Sequence, residues 1–316
     1  MTTRAMIGSA KAEHVLAEGL SVRVRVPGSS ANLGPGFDCL GLALSIFDEL
    51  AVTITGTGVS VAVTGEAAGR VPLDERHLVA RAVARGLEHA GVAVPGFHLE
   101  CRNVIPHSRG LGSSAAAVVG GLAAASALVA ADGRRPGLTD EELVQLSSEF
   151  EGHPDNAAAS VLGSAVVTWS GERGRFFARK LELHRSVVAT VFVPQIESST
   201  EATRGLLPDA VPRADAVFNV SRAALGVVAL TTSPDCLMDA TQDRLHQDYR
   251  AEALPETTRL VAALRDRGHA ATVSGAGPSV LVLGVQSLGA PEADLAAELG
   301  FTMIPVDVAD GVEVVS

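Results

Sequence analysis

Residues Pro106 to Ala116 read PHSRGLGSSAA and run on into an uncharged, Ala-rich stretch that ends at Ala131. Gly110 and Gly112 free the backbone for left-handed dihedrals and let a ligand approach main-chain nitrogen with no Cβ in the way. Ser113 and Ser114 then open a helix predicted over about Ser113 to Ala131. Its first N–H groups lack intrahelical acceptors and carry the positive end of the macrodipole. Such a start holds an anion, and a phosphate gains several hydrogen bonds there at once. The serine hydroxyls can cap the helix, touch phosphate or reach a magnesium ion. A plain Gly-Ser turn capping a buried helix would carry the same residues.

The stretch is neither of the two commonest phosphate loops. No lysine follows the glycines, as G-x-x-x-x-G-K-[ST] requires, and the third glycine of G-x-G-x-x-G is missing. The only lysines in the chain are Lys11 and Lys180, far from any Gly-rich segment. Charge neutralisation must therefore come from backbone N–H groups and a metal ion.

Working outward, SVRVRV at Ser21 to Val26 alternates with period two, and Leu50 to Thr55 and Val59 to Thr64 are β-branched runs. A helix is predicted over His77 to Ala90, stopped by Gly91, and a strand over Phe97 to Val104. Thr139 and Glu142 form a capping box that opens a helix running toward Phe150. A short helix over Asn156 to Leu162 and a strand over Ser164 to Trp169 lead to the polar turn SGERGR, the candidate domain boundary. Beyond it lie a strand at Val187 to Val193, helices at Ala214 to Leu230, Asp235 to Leu245 and Glu256 to Arg267, and strands at Ala271 to Ser274, Val280 to Gly284 and Phe301 to Val306. Strands and helices mix without a strict βαβ rhythm, which predicts an α+β fold.

Composition narrows the function. With 316 residues, 47% of them hydrophobic, the chain can bury one large core or two ordinary ones. A net charge of -11 and the absence of any Lys/Arg run argue against nucleic acid as a partner. Gly110 to Ala131 is uncharged but built from Gly, Ala and Ser, and reads as a buried helix rather than a membrane span. Cys39, Cys101 and Cys236 offer neither a disulfide framework nor a C-x-x-C site, which fits a reducing cytoplasm. The first 20 residues lack the apolar core of a secretory signal and are expected to be a mobile or loosely docked extension.

Two further motifs turn the phosphate loop into a pattern: Pro27 to Gly41, PGSSANLGPGFDCLG, and Ser274 to Ser279, SGAGPS. With Pro106, Arg109, Gly110, Leu111, Gly112, Ser113, Ser114, Ala115 and Ala116 standing between them, the chain resembles the GHMP kinases, whose signature is P-x-x-x-G-L-G-S-S-A-A. The resemblance implies ATP as phosphoryl donor and a two-domain α+β fold: an N-terminal domain like ribosomal protein S5 domain 2 and a ferredoxin-like C-terminal domain. On this chain the implied limits are residues 1–20 for the extension, 21–170 for the ATP-binding domain and 171–316 for the C-terminal domain. Association into a homodimer is left open.

Within the family, SSANLGPGFDCLGLAL resembles the branch that phosphorylates the hydroxyl of L-homoserine. An α-amino acid needs an anion for its ammonium, a cation for its carboxylate and a clear path from its hydroxyl to the γ-phosphorus. The resemblance assigns the ammonium to Asp38 and a hydrogen bond to Asn32. It assigns the carboxylate to Arg204, in STEATRGLL, and Arg250, in HQDYRAEALP, whose guanidinium forks bind carboxylates directionally. It places Thr200 near the phosphates. A Pro-Gly turn in which Asn32 and Asp38 serve only turn geometry is the plainer reading of ANLGPGFD.

The segment EFEGHPDN, Glu149 to Asn156, resembles the family's metal and catalytic region. Glu149 with the hydroxyl of Ser113 or Ser114 is the preferred Mg2+ site, and Glu151 could take the same role. His153, Asp155 and Asn156 fall where relatives touch the substrate or its reacting hydroxyl. Phosphoryl transfer tolerates a weak base or none, so Asp155 and Asn156 are read as positioning that hydroxyl, with base action by Asp155 open. His107 is expected to be structural, His77, His89 and His246 to lie on ordinary helical segments, and Cys39 to pack near the substrate pocket. SGAGPS reads as a loop closing over the phosphate region or as a plain hairpin connection.

Overall fold

The computed structural model describes residues 6–8, 12, 14–198, 203 and 205–315. Its larger sheet grows from two long strands, β3 (Ser21–Asn32) and β4 (Gly36–Ile54), paired antiparallel around the turn Leu33-Gly34-Pro35. In β3 the period-two pattern does what it predicts: Val24 and Val26 are buried while Arg23 lies in solvent. The sheet order is β14 (Glu313–Val315), β3, β4, β7 (Gly96–Asn103), β5 (Gly58–Gly65), and β4 also pairs with β8 (Ala165–Ser170). Between β5 and β7, which are parallel, come helix α1 (Leu78–His89) and strand β6 (Val92–Val94).

The described residues that precede β3 include two short docked strands. Strands β1 (Ile7–Gly8) and β2 (His14–Val15) both pair with β6, and Leu16 enters the core. Of the two expectations for this segment, mobile or loosely docked, these residues show docking.

Helix α2 (Ser113–Ala131) crosses both large hydrophobic clusters. It packs against α1 through small residues, since a Cβ at Gly86 would lie 2.6 Å from the Ala125 methyl and one at Gly121 would lie 2.7 Å from that of Ala82. Burying Val118, Val119, Leu122 and Leu128 completely stabilises the fold by about 1.5–3 kcal/mol each. That burial accounts for its lack of charge. Helix α3 (Asp140–Glu151) carries the capping box, with the Glu142 N–H donating to Thr139 Oγ1 at 3.2 Å and the Thr139 N–H to Glu142 Oε2 at 2.8 Å. Helix α4 is Asp155–Leu162.

The SGERGR turn joins β8 to β9 (Phe176–Leu181) in a hairpin of the same sheet. The change of domain therefore falls after Leu181, and β14 returns to the first sheet from the chain's other end.

The second domain is a four-stranded antiparallel sheet of order β11 (Ala270–Val273), β12 (Val280–Gly284), β10 (Val188–Pro194), β13 (Phe301–Val306). In chain order this is 2-3-1-4 with helices in the first and last connections, the expected ferredoxin-like arrangement. The first connection holds α5 (Arg213–Thr231), α6 (Leu237–Ala240), α7 (Gln247–Arg250) and α8 (Pro255–Asp266), and the last holds α9 (Ala290–Glu298). By length and composition alone α2 and α5 could each cross a membrane. The first is a core helix, and the second leaves Val217, Val220 and Val228 exposed.

Candidate active site

The three motifs meet. Ser29 N–H donates to the Leu111 carbonyl at 3.0 Å, and Ser274 Oγ donates to the Gly110 carbonyl at 2.6 Å and bonds Ser30 Oγ at 2.8 Å. Gly275 N–H donates to the Ala31 carbonyl at 3.1 Å, and Asn32 Nδ2 to the Gly275 carbonyl at 2.8 Å. SGAGPS is thus the β11–β12 connection, and it also bonds the Gly110 carbonyl and lines the interdomain cavity with Gly275 and Ala276.

Gly110 and Gly112 have φ of 72° and 69°. A Cβ on Gly112 would collide with Ser29 Oγ, and one on Gly110 with the Ser274 carbonyl while lying 2.7 Å from Gly277 O. Both positions demand glycine for conformation and for close packing of motif on motif. Gly112 is the N-cap of α2 and no side chain caps it. The first intrahelical bond is Ala116 N–H to Gly112 O at 2.8 Å, so the N–H groups of Ser113, Ser114 and Ala115 precede the ladder. The Gly110 and Leu111 carbonyls, four residues before Ser114 and Ala115, are engaged by Ser274 and Ser29 instead.

These N–H groups border a cavity of about 650 Å³ between the two domains. Gly110, Gly112, Ser113, Ser114 and Ala115 line it; Leu111 and Ala116 are buried behind it, and Pro106 stands outside its wall. Arg109 reaches the rim, but its guanidinium donates to the carbonyls of Pro194, His107 and Gln195 at 2.9, 3.1 and 2.9 Å. Expected as a cofactor ligand, it ties the loop to the end of β10.

Lining the same cavity, Asp38, His153 and Asp155 bring ligating atoms within 4.8 Å of one another. Asp155, fully buried at the first turn of α4, accepts on Oδ1 from the Asn156 N–H and from His153 Nδ1, both at 2.7 Å. A carboxylate only accepts, so His153 carries its proton on Nδ1. Asn156 Oδ1 accepts from Ser29 Oγ at 3.0 Å, which orients its amide from the first motif. Asn32 and Asp38 hold left-handed backbone, φ 70° and 56°, and Asn32 Oδ1 accepts from the Asp38 N–H at 3.1 Å. ANLGPGFD is therefore a turn and a pocket wall in the same residues. Non-glycine residues in that conformation store about 1–3 kcal/mol each, as functional loops often do. Cys39 packs beside this wall, its thiol pushed up by burial and by the nearby Asp155 and Asp38 carboxylates.

The structure separates the two glutamates. Ser114 Oγ donates to Glu151 Oε1 at 2.7 Å at the cavity's edge. Glu149 faces the other way, paired with Arg85 at 3.4 Å and accepting from Gln145 Nε2 at 3.0 Å. Two residues apart on a helix, side chains diverge by about 200°, so only one can meet α2. The expectation that Glu149 joins Ser113 and Ser114 is not met. The hydroxyl and carboxylate that do converge beside the N–H cradle are hard oxygen donors of the kind magnesium takes.

Arg250 projects into the cavity although almost fully buried. Its Nε donates to the Thr203 carbonyl at 3.2 Å and one Nη to His246 Nδ1 at 3.0 Å. His246 was expected on an ordinary helical segment, yet it is fully buried at the domain junction. Thr200 and Arg204 lie outside the described residues.

Residues 77–164 match the family model described as GHMP kinases N terminal domain, and residues 231–298 the one described as GHMP kinases C terminal. The chain is 58% identical over 302 residues to a homoserine kinase of Rhodococcus erythropolis, covering 94% of this chain and 96% of that one. It is 54% identical over 301 residues to a homoserine kinase of Mycolicibacterium smegmatis, covering 93% and 95%. A crystal structure of homoserine kinase from Cytophaga hutchinsonii superposes with a TM-score of 0.81 at 26% identity, covering 95% of this chain and 98% of that one.

Proposed function

The chain belongs to the GHMP kinases, and from that premise we infer its reaction: transfer of the ATP γ-phosphate to the hydroxyl of L-homoserine, giving O-phospho-L-homoserine for threonine biosynthesis. One observation carries this reading. A single cavity is lined by an anion cradle of helix N–H groups, a carboxylate cluster and a buried guanidinium. That is the charge pattern of a nucleotide phosphate next to an α-amino acid.

The roles follow from chemistry. The N–H groups of Ser113, Ser114 and Ala115 hold phosphate oxygens, and Asp38 takes the substrate ammonium. Arg250 takes the carboxylate, with Arg204 and Thr200 retained as candidates from sequence. Magnesium, held by Ser114 and Glu151, would supply charge neutralisation at the transferred group. Asp155 has Oδ1 engaged by two donors, which leaves Oδ2 to accept from the substrate hydroxyl, and Asn156 borders the same point. In a loose transition state this alignment is the main requirement, and the proton can leave late. Cys39, Cys101 and Cys236 are free thiols, which supports a reducing cytoplasm as the compartment.

The test is a substrate panel: the pure protein with Mg-ATP and homoserine, mevalonate, shikimate or galactose, followed by ADP release. Release with homoserine alone is expected, and release with none of the four overturns the reading.

A further inference from the structure

His246 stands where the two domains exchange hydrogen bonds behind the cavity. Its Nε2 bonds the Gly34 carbonyl at 2.7 Å, and its Nδ1 bonds Arg250 Nη at 3.0 Å. A carbonyl only accepts and a guanidinium only donates, so the ring carries one hydrogen, on Nε2. Burial, the largest influence, holds its pKa below the ordinary histidine value, which agrees with a neutral ring.

The ring is itself fixed. Asp243, with a fully buried side chain, accepts from the backbone N–H groups of Leu245, His246 and Gln247 at 3.0, 3.0 and 2.8 Å. It also accepts from Asn219 Nδ2 at 2.9 Å, and that same amide nitrogen reaches the Pro35 carbonyl at 3.3 Å. Two successive carbonyls of the substrate turn, Gly34 and Pro35, are thus held from the second domain around one buried carboxylate. Gly34 also presses on Thr241, whose carbonyl carbon would lie 2.9 Å from a Cβ placed there.

We propose that His246 is a specificity-determining positioning residue: through its Nε2–H on the turn carrying Asp38 and its Nδ1 on Arg250, it sets the spacing between the group that takes the substrate ammonium and the group that takes the carboxylate. The inference rests on the assignment of Arg250 to the carboxylate. Its consequence is selective. Loss of the Nδ1 acceptor removes the bond that fixes that Nη, so the guanidinium shifts about its remaining contacts, which weakens carboxylate-bearing substrates and leaves ATP alone.

Two near-isosteres divide the roles. In His246→Gln the amide nitrogen replaces Nε2 and keeps the bond to Gly34, but no atom takes the place of Nδ1 as the acceptor of the Arg250 Nη. In His246→Asn, Oδ1 replaces Nδ1 and keeps that acceptor. We expect H246Q to raise the KM for homoserine about tenfold, with kcat and the KM for ATP changed less than about twofold, and H246N to recover most of that loss. Turnover of 3-aminopropan-1-ol, which has the ammonium and hydroxyl but no carboxylate, should fall by less than twofold in H246Q, a ratio that a general loss of structure would not preserve. Thermal unfolding of each variant checks that it is folded. An unchanged homoserine KM in H246Q, equal losses in H246Q and H246N, or equal losses on homoserine and 3-aminopropan-1-ol overturns the proposal. Arg250→Ala is measured beside them: if it too leaves the homoserine KM unchanged, the assignment of Arg250 fails, whereas an R250A defect without an H246Q defect sinks the role of His246 alone.

Discussion

Asp48 offers a quantitative test of how the phosphate loop is anchored. It lies in β4 opposite Val26 and is 5% exposed, and its Oδ1 accepts from the N–H groups of Val104 and Ile105 at 2.6 and 2.9 Å, just before Pro106. Burial pushes its pKa up from 3.8 to about 6; the two backbone bonds pull it down but do not offset the burial, and Glu66 adds to the rise. A raised carboxyl pKa means that the folded chain holds the proton more tightly than the unfolded chain. Stability from this group is therefore fully present below the unfolded value and is lost as pH rises toward the folded one. The interval is about two pKa units, or about 3 kcal/mol in all.

Asp48→Asn keeps an Oδ1 acceptor for both N–H groups and removes the ionisation. Urea unfolding of the two proteins side by side, from about pH 4.5 to about pH 7.5, isolates the group, because every other titration cancels in the difference. The wild type should lose about 2 kcal/mol relative to the variant across that range, nearly all of it below about pH 6.5. Asp48→Ala should behave differently, since it strands two buried N–H groups at about 1–3 kcal/mol each at any pH. A wild-type-minus-Asn difference that stays flat within about 0.5 kcal/mol, or that moves in favour of the wild type as pH rises, refutes the reasoning.

Three further outcomes bear on the site. Glu151→Gln should raise the Mg2+ concentration needed for half-maximal rate about tenfold or more while Glu149→Gln shifts it less than about twofold, read from metal titrations at saturating ATP; the reverse order would return the site to Glu149. Gly110→Ala, which must hold φ of 72° with a Cβ against the Ser274 carbonyl, should cost about 2–5 kcal/mol in urea unfolding and most of the ATP affinity. Asp155→Asn should lower kcat by only a few fold with an unaltered pH profile if the residue positions the hydroxyl; a loss of about 10³ or more, with one limb of the profile gone, would make it an essential base.

What could be read from the sequence divides along a physical line. The α2 boundaries, the capping box at Thr139 and the strands of the second sheet rest on local signals, periodicity and caps, and the structure has them within a residue or two. The choice between Glu149 and Glu151 needed the face that α3 turns toward α2, which is a tertiary fact; the sequence fixes only that the two point apart. Arg109 reads as a phosphate ligand because it sits in the loop, and nothing local shows that each of its three nitrogens also donates to a main-chain carbonyl. For His246 the local sequence shows only Arg250, four residues on; its other partner, Gly34, lies across the domain junction and leaves no local signal.

The absence of a lysine in the phosphate loop connects these points. A lysine ammonium is a mobile charge that can follow a phosphate, whereas N–H groups at a helix start work only if the helix start is held still. Here the holding is done by the other two motifs: Ser29 on Leu111, Ser274 on Gly110, and Asn32 on Gly275. The residues that fix the proposed phosphate cradle therefore belong to the segments that carry Asp38 and close the cavity, and Ser29 also orients Asn156, the residue proposed to border the acceptor hydroxyl. Donor and acceptor alignment are built from one hydrogen-bonded unit, so a small displacement of the first motif should misplace both reactants together. Ser29→Ala tests this directly. It removes the hydroxyl bond to Asn156 but keeps the backbone bond to Leu111, so it should lower kcat with homoserine about tenfold while leaving the KM for ATP within about twofold. A rise in the ATP KM with kcat intact would show instead that the hydroxyl serves the cradle and that the two halves of the site are held independently.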